Sequence, residues 1–258
     1  MEEFLYRNPV FTLKAVQDHF GNIGPKAAYR RLRRALEAGR LVGVFRGVFA
    51  AVPPGVEPDS FAPDPFLILN ALRPGVIFCG HSALDLHGVS NQVWNTVTAY
   101  SKRKAIHYEV QRVRYKTLKH PKWATEDFIS TVDRLGTLLS VTNPELTLIE
   151  GFRYPGRVGG IEEHVKSVAG FHTLDPTRIN QLLQRFSMHK LYAAVGWFLT
   201  RERGYRQITP EYLDLLRAHR PASPQYLEKQ SIGGVLDSEW NVIIPREIAR
   251  QESANIEI

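Results

Sequence analysis

Apolar residues recur at helical spacing in two short segments near the start of the chain. In residues 11–20, Thr12 stands where an N-cap is expected, and three apolar side chains share one face: Leu13, Val16 and Phe20. In residues 25–38, four apolar side chains share one face: Ala28, Leu32, Ala35 and Leu36. The segment between them, residues 21–24, begins and ends with glycine, and Pro25 suits the first turn of a helix. The pattern predicts two helices joined by a short turn.

Two apolar runs follow the second predicted helix. Residues 41–45 and 48–52 flank the dipeptide Arg46-Gly47, which is a hairpin signal, and Gly39 is suited to a left-handed helix cap. A helix, a short turn, a second helix and a hairpin follow one another as in a winged helix-turn-helix. We therefore predict this architecture for residues 1–52.

Positive charge is concentrated on the second predicted helix and the hairpin. Seven Lys and Arg side chains lie in residues 24–46 against one acid, Glu37. Charged helix faces are usually solvated surface, but here the charge has one sign and faces away from the apolar stripe, as on a helix that enters a DNA groove. The candidate DNA-binding residues, of which Arg40 and Arg46 would reach phosphates or a minor groove, are Lys26, Tyr29, Arg30, Arg33, Arg34, Arg40 and Arg46.

The rest of the chain reads as a separate, mixed region. Residues 53–65 contain five prolines and predict a semi-rigid linker before a second domain at 66–258. Helices are expected at 66–72, 82–87, 144–152, 162–169, 175–186, 188–202 and 210–219. Strands are expected at 76–79, 95–100, 106–110, 113–118, 137–142 and 235–244. Strands and helices do not alternate strictly, so the predicted class is α+β: an N-terminal winged helix-turn-helix followed by a larger mixed α/β domain. Residues 251–258 are expected to be a frayed tail.

Composition narrows the possible classes. The 258 residues carry a net charge of +7, of which residues 1–52 contribute +5. Such uneven charge is expected of a small polyanion-binding module on a larger chain. Cys79 is the only cysteine, which excludes an intrachain disulfide and a zinc finger. Neither a membrane-spanning apolar run nor a secretory signal is present, and we expect a soluble cytoplasmic protein.

Motifs for catalysis or metal binding are weak. Residues 80–84 partly match a nucleophile elbow but lack its final glycine, and Ser82 as a helix N-cap explains them better. His81 and His87 lack metal-ligand spacing, and the glycines of residues 156–160 lack the Lys-Ser/Thr of a phosphate-binding loop. We expect no catalytic residue, no metal and no cofactor.

A second basic cluster spans residues 102–122, with aromatic residues interleaved. Arg112, Arg114 and Lys116 are expected to share one face of a strand. Basic charge among aromatics is typical of single-strand nucleic-acid binding. An outward polar sheet face, with aromatics supporting the core, is the alternative that we favour for this cluster.

The ordered set of features resembles the AbiEi family. It comprises the winged helix, the proline-rich linker, the segments Ser82–Gly88 and Val141–Ile149, the pair Gly159-Gly160 and the helix pair at 175–203. The resemblance implies a transcriptional repressor that is the antitoxin of a bacterial abortive-infection toxin–antitoxin operon. It implies binding to inverted repeats upstream of that operon, as a monomer in solution or cooperatively on DNA. It identifies residues 66–258 as an AbiEi-like antitoxin domain, and the implied functional partner is a nucleotidyltransferase-type toxin. We expect no membrane partner.

Three other functions fit the same residues. A nuclease or transferase would use the winged helix only for targeting, although the sequence shows no paired carboxylates for such chemistry. A plain regulator would lack a toxin, and an adaptor would bind a partner through its second domain.

Overall fold

The structure, a computed structural model, describes residues 1–202, 205, 207–228 and 233–250. It is a mixed fold of helices and several sheets, which agrees with the predicted α+β class. The tail expected at 251–258 lies outside the described residues. Within the described part of the chain, no helix is long and apolar enough to cross a membrane.

The first 52 residues form helices around a small three-stranded sheet. The helices are α1 (Glu2–Arg7), α2 (Leu13–His19) and α3 (Pro25–Glu37). The strands are β1 (Val10–Thr12), β2 (Leu41–Phe45) and β3 (Val48–Ala51), in the order β1-β3-β2 with both pairings antiparallel. The predicted helices and hairpin are confirmed as elements, whereas α1 and β1 were not predicted.

Local chemistry sets the ends of these elements. The Thr12 side chain accepts a hydrogen bond from the Ala15 N–H at 3.1 Å, which confirms the predicted cap of α2. Gly39 adopts a φ of +64° just beyond α3, as expected for a left-handed cap. A side chain at Gly39 would also meet Pro58 at 2.8 Å. Both the positive φ and this close approach therefore favour glycine at position 39.

The remaining elements agree broadly with the predicted ones. The helices are α4 (Pro65–Leu72), α5 (His81–Leu86), α6 (Pro144–Arg153), α7 (Ile161–Val168), α8 (Pro176–Phe186), α9 (His189–Arg201) and α10 (Pro210–Ala218). The strands are β4 (Ile77–Phe78), β5 (Thr96–Ser101), β6 (His107–Val110), β7 (Val113–Lys119), β8 (Ile129–Arg134), β9 (Thr137–Thr142), β10 (Gln225–Tyr226), β11 (Val235–Asp237) and β12 (Val242–Ile244). Short 3₁₀ helices lie at Pro58–Ser60, Glu126–Phe128 and Pro155–Arg157.

Two further sheets are formed by these strands. The larger has the order β6-β7-β5-β4-β9-β8, with β5 parallel and β6 antiparallel to β7. The smaller has the order β10-β12-β11. The single late strand predicted at 235–244 is therefore wrong: the chain turns between β11 and β12, which pair antiparallel. Strands β8 and β10 were not predicted.

Contacts divide the chain into two compact units. The first comprises residues 1–77, 95–119 and 131–140, and the second comprises residues 78–94 and 120–130 and the described residues from 141 onward. Beneath α3 in the first unit lies a cluster of buried apolar residues: Phe4, Leu5, Phe11, Val16, Ala28, Leu32, Ala35, Leu41 and Phe49. Domain boundaries at 52 and 66 stay a prediction.

Candidate nucleic-acid interface

Helix α3 is held to the first unit by one apolar face. Ala28, Leu32 and Ala35 are buried and pack among the residues of α1, α2 and β3. Leu36, predicted to share this core, is instead 36% exposed because it lies at the edge of the apolar stripe. Leu13 of α2 and Val44 of β2 are half-buried. Residues that face away from the buried stripe are therefore available to solvent.

All seven candidate DNA-binding side chains are exposed. They are Lys26, Tyr29, Arg30, Arg33 and Arg34 on α3, Arg40 before β2, and Arg46 at the hairpin turn. No acid lies among the first twelve residues of α3, whose last residue is Glu37. The helix thus presents an outward face of one charge sign, which is the electrostatic requirement for contact with phosphates.

Three of the basic residues in this region have partners within the first unit. Arg33 Nε lies 2.7 Å from Glu37 Oε1, and this hydrogen bond raises the pKa of Arg33. Arg40 Nη1 lies 2.6 Å from Glu2 Oε1. The guanidinium of Arg31 stacks over the Phe20 ring at 4.7 Å. Exposed pairs of this kind are weak, but they leave the charges of Arg33 and Arg40 partly compensated within the molecule.

The other cations on α3 are uncommitted. Lys26, Arg30 and Arg34 form no ion pair or ring contact with the residues that the structure describes. Tyr29 meets the Phe49 ring edge-on, with centroids 6.1 Å apart, and keeps 43% of its surface exposed. Arg30 is therefore freer than Arg33, which pairs with Glu37, to donate all of its N–H groups to a guanine edge.

The hairpin after α3 carries one basic residue at its turn. Strands β2 and β3 pair antiparallel, and Gly47 in the turn has a φ of +77°. Arg46 is exposed at this turn, directly after Phe45. Its position suits a phosphate contact rather than base recognition.

The second basic cluster is only partly arranged as predicted. Arg114 and Lys116 alternate with buried Tyr115 and Thr117 on β7, so they share an exposed face. Arg112 does not lie on that face because it occupies the turn between β6 and β7, where Val110 pairs with Val113. The three basic residues therefore belong to two surfaces.

Residues 80–84, which partly match a nucleophile elbow, are buried in the second unit. Helix α5 begins at His81 after Gly80, whose φ is +60°, so the N-cap predicted at Ser82 is wrong. A side chain at Gly80 would meet the Arg157 carbonyl oxygen at 2.8 Å, which explains why glycine stands there. Ser82 is 2% exposed, and a nucleophile must be accessible to substrate.

A buried polar network that the sequence did not reveal lies beside α5. Glu163 Oε1 accepts hydrogen bonds from the Asn91 N–H at 3.0 Å and the Ser167 hydroxyl at 2.8 Å. His81 Nε2 lies 3.7 Å from the same oxygen, and the His81 ring stacks on Trp94. Burial lowers the pKa of His81, although Glu163 opposes the shift. The carboxylate thus holds Asn91 through a backbone hydrogen bond and lies beside the His81 ring on which Trp94 stacks.

Two other histidines of the second unit, His87 and His164, form hydrogen bonds to backbone carbonyl groups. His87 Nε2 lies 2.8 Å from the Thr142 carbonyl oxygen, and His164 Nε2 lies 2.9 Å from that of Leu148. Burial lowers the pKa of both histidines, that of His164 to about 4. Among the described residues, no group of three or more His, Cys, Asp or Glu side chains is placed to hold a metal ion.

Comparison with known proteins adds information on the fold. No family model matches the chain, and no curated protein matches it. Among solved structures, the chain is similar to the crystal structure of the RV2827C protein from Mycobacterium tuberculosis, with a TM-score of 0.63 and 18% sequence identity. The match covers 97% of this chain and 92% of the mycobacterial chain. The two chains therefore share a fold over nearly their full length.

Proposed function

We propose that the chain is a DNA-binding transcriptional repressor in which residues 1–52 form a winged helix-turn-helix. The observation that carries the proposal is the outward face of α3, where Lys26, Arg30 and Arg34 are exposed and unpaired among the described residues. The order of α2, α3 and the β2–β3 hairpin supports the winged-helix interpretation. In this proposal α3 enters the major groove, Arg30 contacts a base edge and Arg46 contacts the backbone.

The role of the repressor is inferred from the sequence resemblance to the AbiEi family. We infer that it is the antitoxin of a bacterial abortive-infection toxin–antitoxin operon and binds inverted repeats upstream of that operon. Its functional partner would be a nucleotidyltransferase-type toxin. The proposal assigns the chain no catalytic activity and no cofactor, and it places the protein in the cytoplasm, where the operon lies.

The repressor proposal is tested by a gel-shift titration of the full-length chain. One duplex carries the region upstream of the protein's own gene, and the control duplex carries the same bases in scrambled order. Specific regulators bind their sites at least about a thousandfold more tightly than random DNA, and we expect a preference of that order. Equal affinity for both duplexes would overturn the repressor proposal.

The antitoxin proposal is tested by co-expression with the neighbouring toxin gene. We expect growth rescue by the full chain, and rescue that persists when Arg30 and Arg34 are replaced by Ala, since the family resemblance assigns the antitoxin effect to the second domain. Absence of rescue by the wild-type chain would overturn the antitoxin role and leave the repressor role intact.

A further inference from the structure

The β6–β7 hairpin lies in the same compact unit as α3 and packs against the β2–β3 hairpin. The Phe45 ring contacts the Tyr108 ring with centroids 5.7 Å apart and the Tyr115 ring at 6.1 Å. Tyr108 and Tyr115 are directly paired across β6 and β7. Arg46 directly follows Phe45. The turn of the β2–β3 hairpin therefore begins one residue after the contact with the β6–β7 hairpin.

The turn of the β6–β7 hairpin ends in an exposed arginine. Val110 pairs with Val113, and the two residues between them, Gln111 and Arg112, have φ values of +49° and +65°. Two-residue turns of this kind favour Asn and Gly, because other side chains pay about 1 kcal/mol or more for the left-handed conformation. An arginine at such a position is therefore not explained by folding preference.

Arg112 is also an uncommitted charge. It is exposed and has no ion-pair or ring partner in the described part of the chain. Two residue steps of extended strand, about 7 Å, lead from Tyr108 to Val110, where β6 ends and the turn that contains Arg112 begins. Arg114 and Lys116 alternate with Tyr115 along β7 and so lie on the sheet face opposite the contact with Phe45.

We propose that the β6–β7 hairpin is a second wing, whose Arg112 contacts the phosphate backbone of the duplex that α3 and Arg46 engage. This inference rests on the proposed function. The DNA-contacting surface would then extend beyond residues 1–52, and the partner is double-stranded DNA, recognised by charge rather than by sequence. Lys116, on the other face of the same hairpin, would contribute only to the general field of the molecule.

The test compares Arg112→Gly, Arg112→Lys and Lys116→Ala in the full-length chain. Glycine suits the turn, so Arg112→Gly removes the charge while keeping the hairpin folded. The probe is a random-sequence duplex of about 30 base pairs, roughly three helical turns, titrated at several salt concentrations. We expect about three- to tenfold weaker binding for Arg112→Gly and a log K versus log salt slope smaller by about 0.9, the value for one phosphate. Arg112→Lys is expected to retain most affinity and Lys116→Ala to change it less than twofold.

Several results would overturn the second wing. Unchanged affinity and slope for Arg112→Gly, with wild-type and Lys116→Ala binding normally, would refute it while leaving the repressor proposal in place. Equal losses of affinity for Arg112→Gly and Lys116→Ala would show that only the net charge of the protein matters, and not the position of Arg112. A loss confined to a single-stranded oligonucleotide would assign the hairpin to a different nucleic acid. If the wild-type chain bound no duplex at all, the proposed function and this inference would fall together.

Discussion

Helix α3 in the first compact unit and helix α8 in the second are amphipathic helices of 13 and 11 residues. Each is fixed by buried apolar residues, Leu32 in α3 and Leu182 in α8. Their arginines differ in what they contact. Arg178 of α8 lies 3.6 Å from Asp175, and Arg185 stacks over Phe128 and donates a hydrogen bond to Thr125.

The arginines of α3 are less engaged within the molecule. Arg30 and Arg34 contact no acid or ring among the described residues, whereas Arg33 pairs with Glu37 and Arg31 stacks over Phe20. The two helices differ in charge, since α3 has five basic residues and one acid whereas α8 has two basic residues and no acid. They also differ in whether each charge already has a partner, and an unpartnered charge is ready to bind a polyanion. The predictions below test this comparison in order of decreasing effect.

The largest expected effect tests what the two helices share. Leu32→Ala and Leu182→Ala each leave a cavity under a helix and should lower the free energy of unfolding by about 2–5 kcal/mol. Urea denaturation of both variants measures this loss. A loss below about 1 kcal/mol for Leu32→Ala would show that α3 is not anchored by its apolar face.

Acid should destabilise the second unit, which contains α8 and His164, by protonating His164. Burial lowers the pKa of His164 to about 4, below the value near 6.5 of an unfolded chain. The folded state therefore gains its full stabilisation from neutral His164 above about pH 6.5, and this contribution is lost as the pH falls from 6.5 to 4. We expect the free energy of unfolding to decrease by about 2 kcal/mol between pH 7 and pH 5 from this group.

The variant His164→Gln tests that assignment, with exposed His172→Gln as the control. Denaturation at several pH values should show a shallower acid dependence for His164→Gln than for the wild type. A pH profile of His164→Gln identical to that of the wild type would contradict the assignment.

The two helix ends offer a smaller, opposite pair of effects. Gly39, after α3, and Ser187, after α8, both have positive φ values, +64° and +51°. Gly39→Ala should destabilise the chain by about 1–2 kcal/mol, because it adds left-handed strain and a contact with Pro58. Ser187→Gly should stabilise it by about 0.5–1 kcal/mol.

Thermal melting separates the two contributions at Gly39. Gly21 has a φ of +84° with open space around it, so Gly21→Ala carries the strain alone. Equal shifts in melting temperature for Gly21→Ala and Gly39→Ala would show that the Pro58 contact has no energetic weight. A lower melting temperature for Ser187→Gly would contradict the expected gain.

The smallest expected effect concerns the hairpin after α3. Arg46→Ala should weaken binding to every duplex by less than about tenfold and reduce the magnitude of the log K versus log salt slope by about one. Fluorescence anisotropy at several salt concentrations measures both. A slope equal to that of the wild type would place Arg46 off the DNA.

Local signals carried most of the fold prediction. The caps at Thr12, Asn143 and Asp175 each accept a hydrogen bond from the first turn of the following helix, as residue type and position indicate. Strand β1 was missed because three residues give too short a pattern, and it forms only by pairing with β3. Gly80 rather than Ser82 is the N-cap of α5, and a side chain at Gly80 would meet the backbone of Arg157, which is distant in sequence.

The exposed basic face of α3 was also predictable from local sequence. The contact between the β2–β3 and β6–β7 hairpins was not. Helical spacing alone places Arg30, Arg33 and Arg34 away from Leu32. The packing of Phe45 on Tyr108 and Tyr115, which brings a second hairpin to the first, joins residues more than 60 positions apart. Such contacts depend on the tertiary fold, and periodicity carries no information about them.

The central claim is tested most directly by matched double variants of the two helices. Arg30→Ala/Arg34→Ala and Arg178→Ala/Arg185→Ala each remove two exposed or half-exposed charges, and binding to the upstream duplex is measured for both, with melting curves to confirm folding. Each bidentate arginine–guanine pair contributes roughly 1–3 kcal/mol, so we predict at least about a tenfold loss for the α3 variant and less than a twofold change for the α8 variant. Equal losses for the two variants would contradict the account.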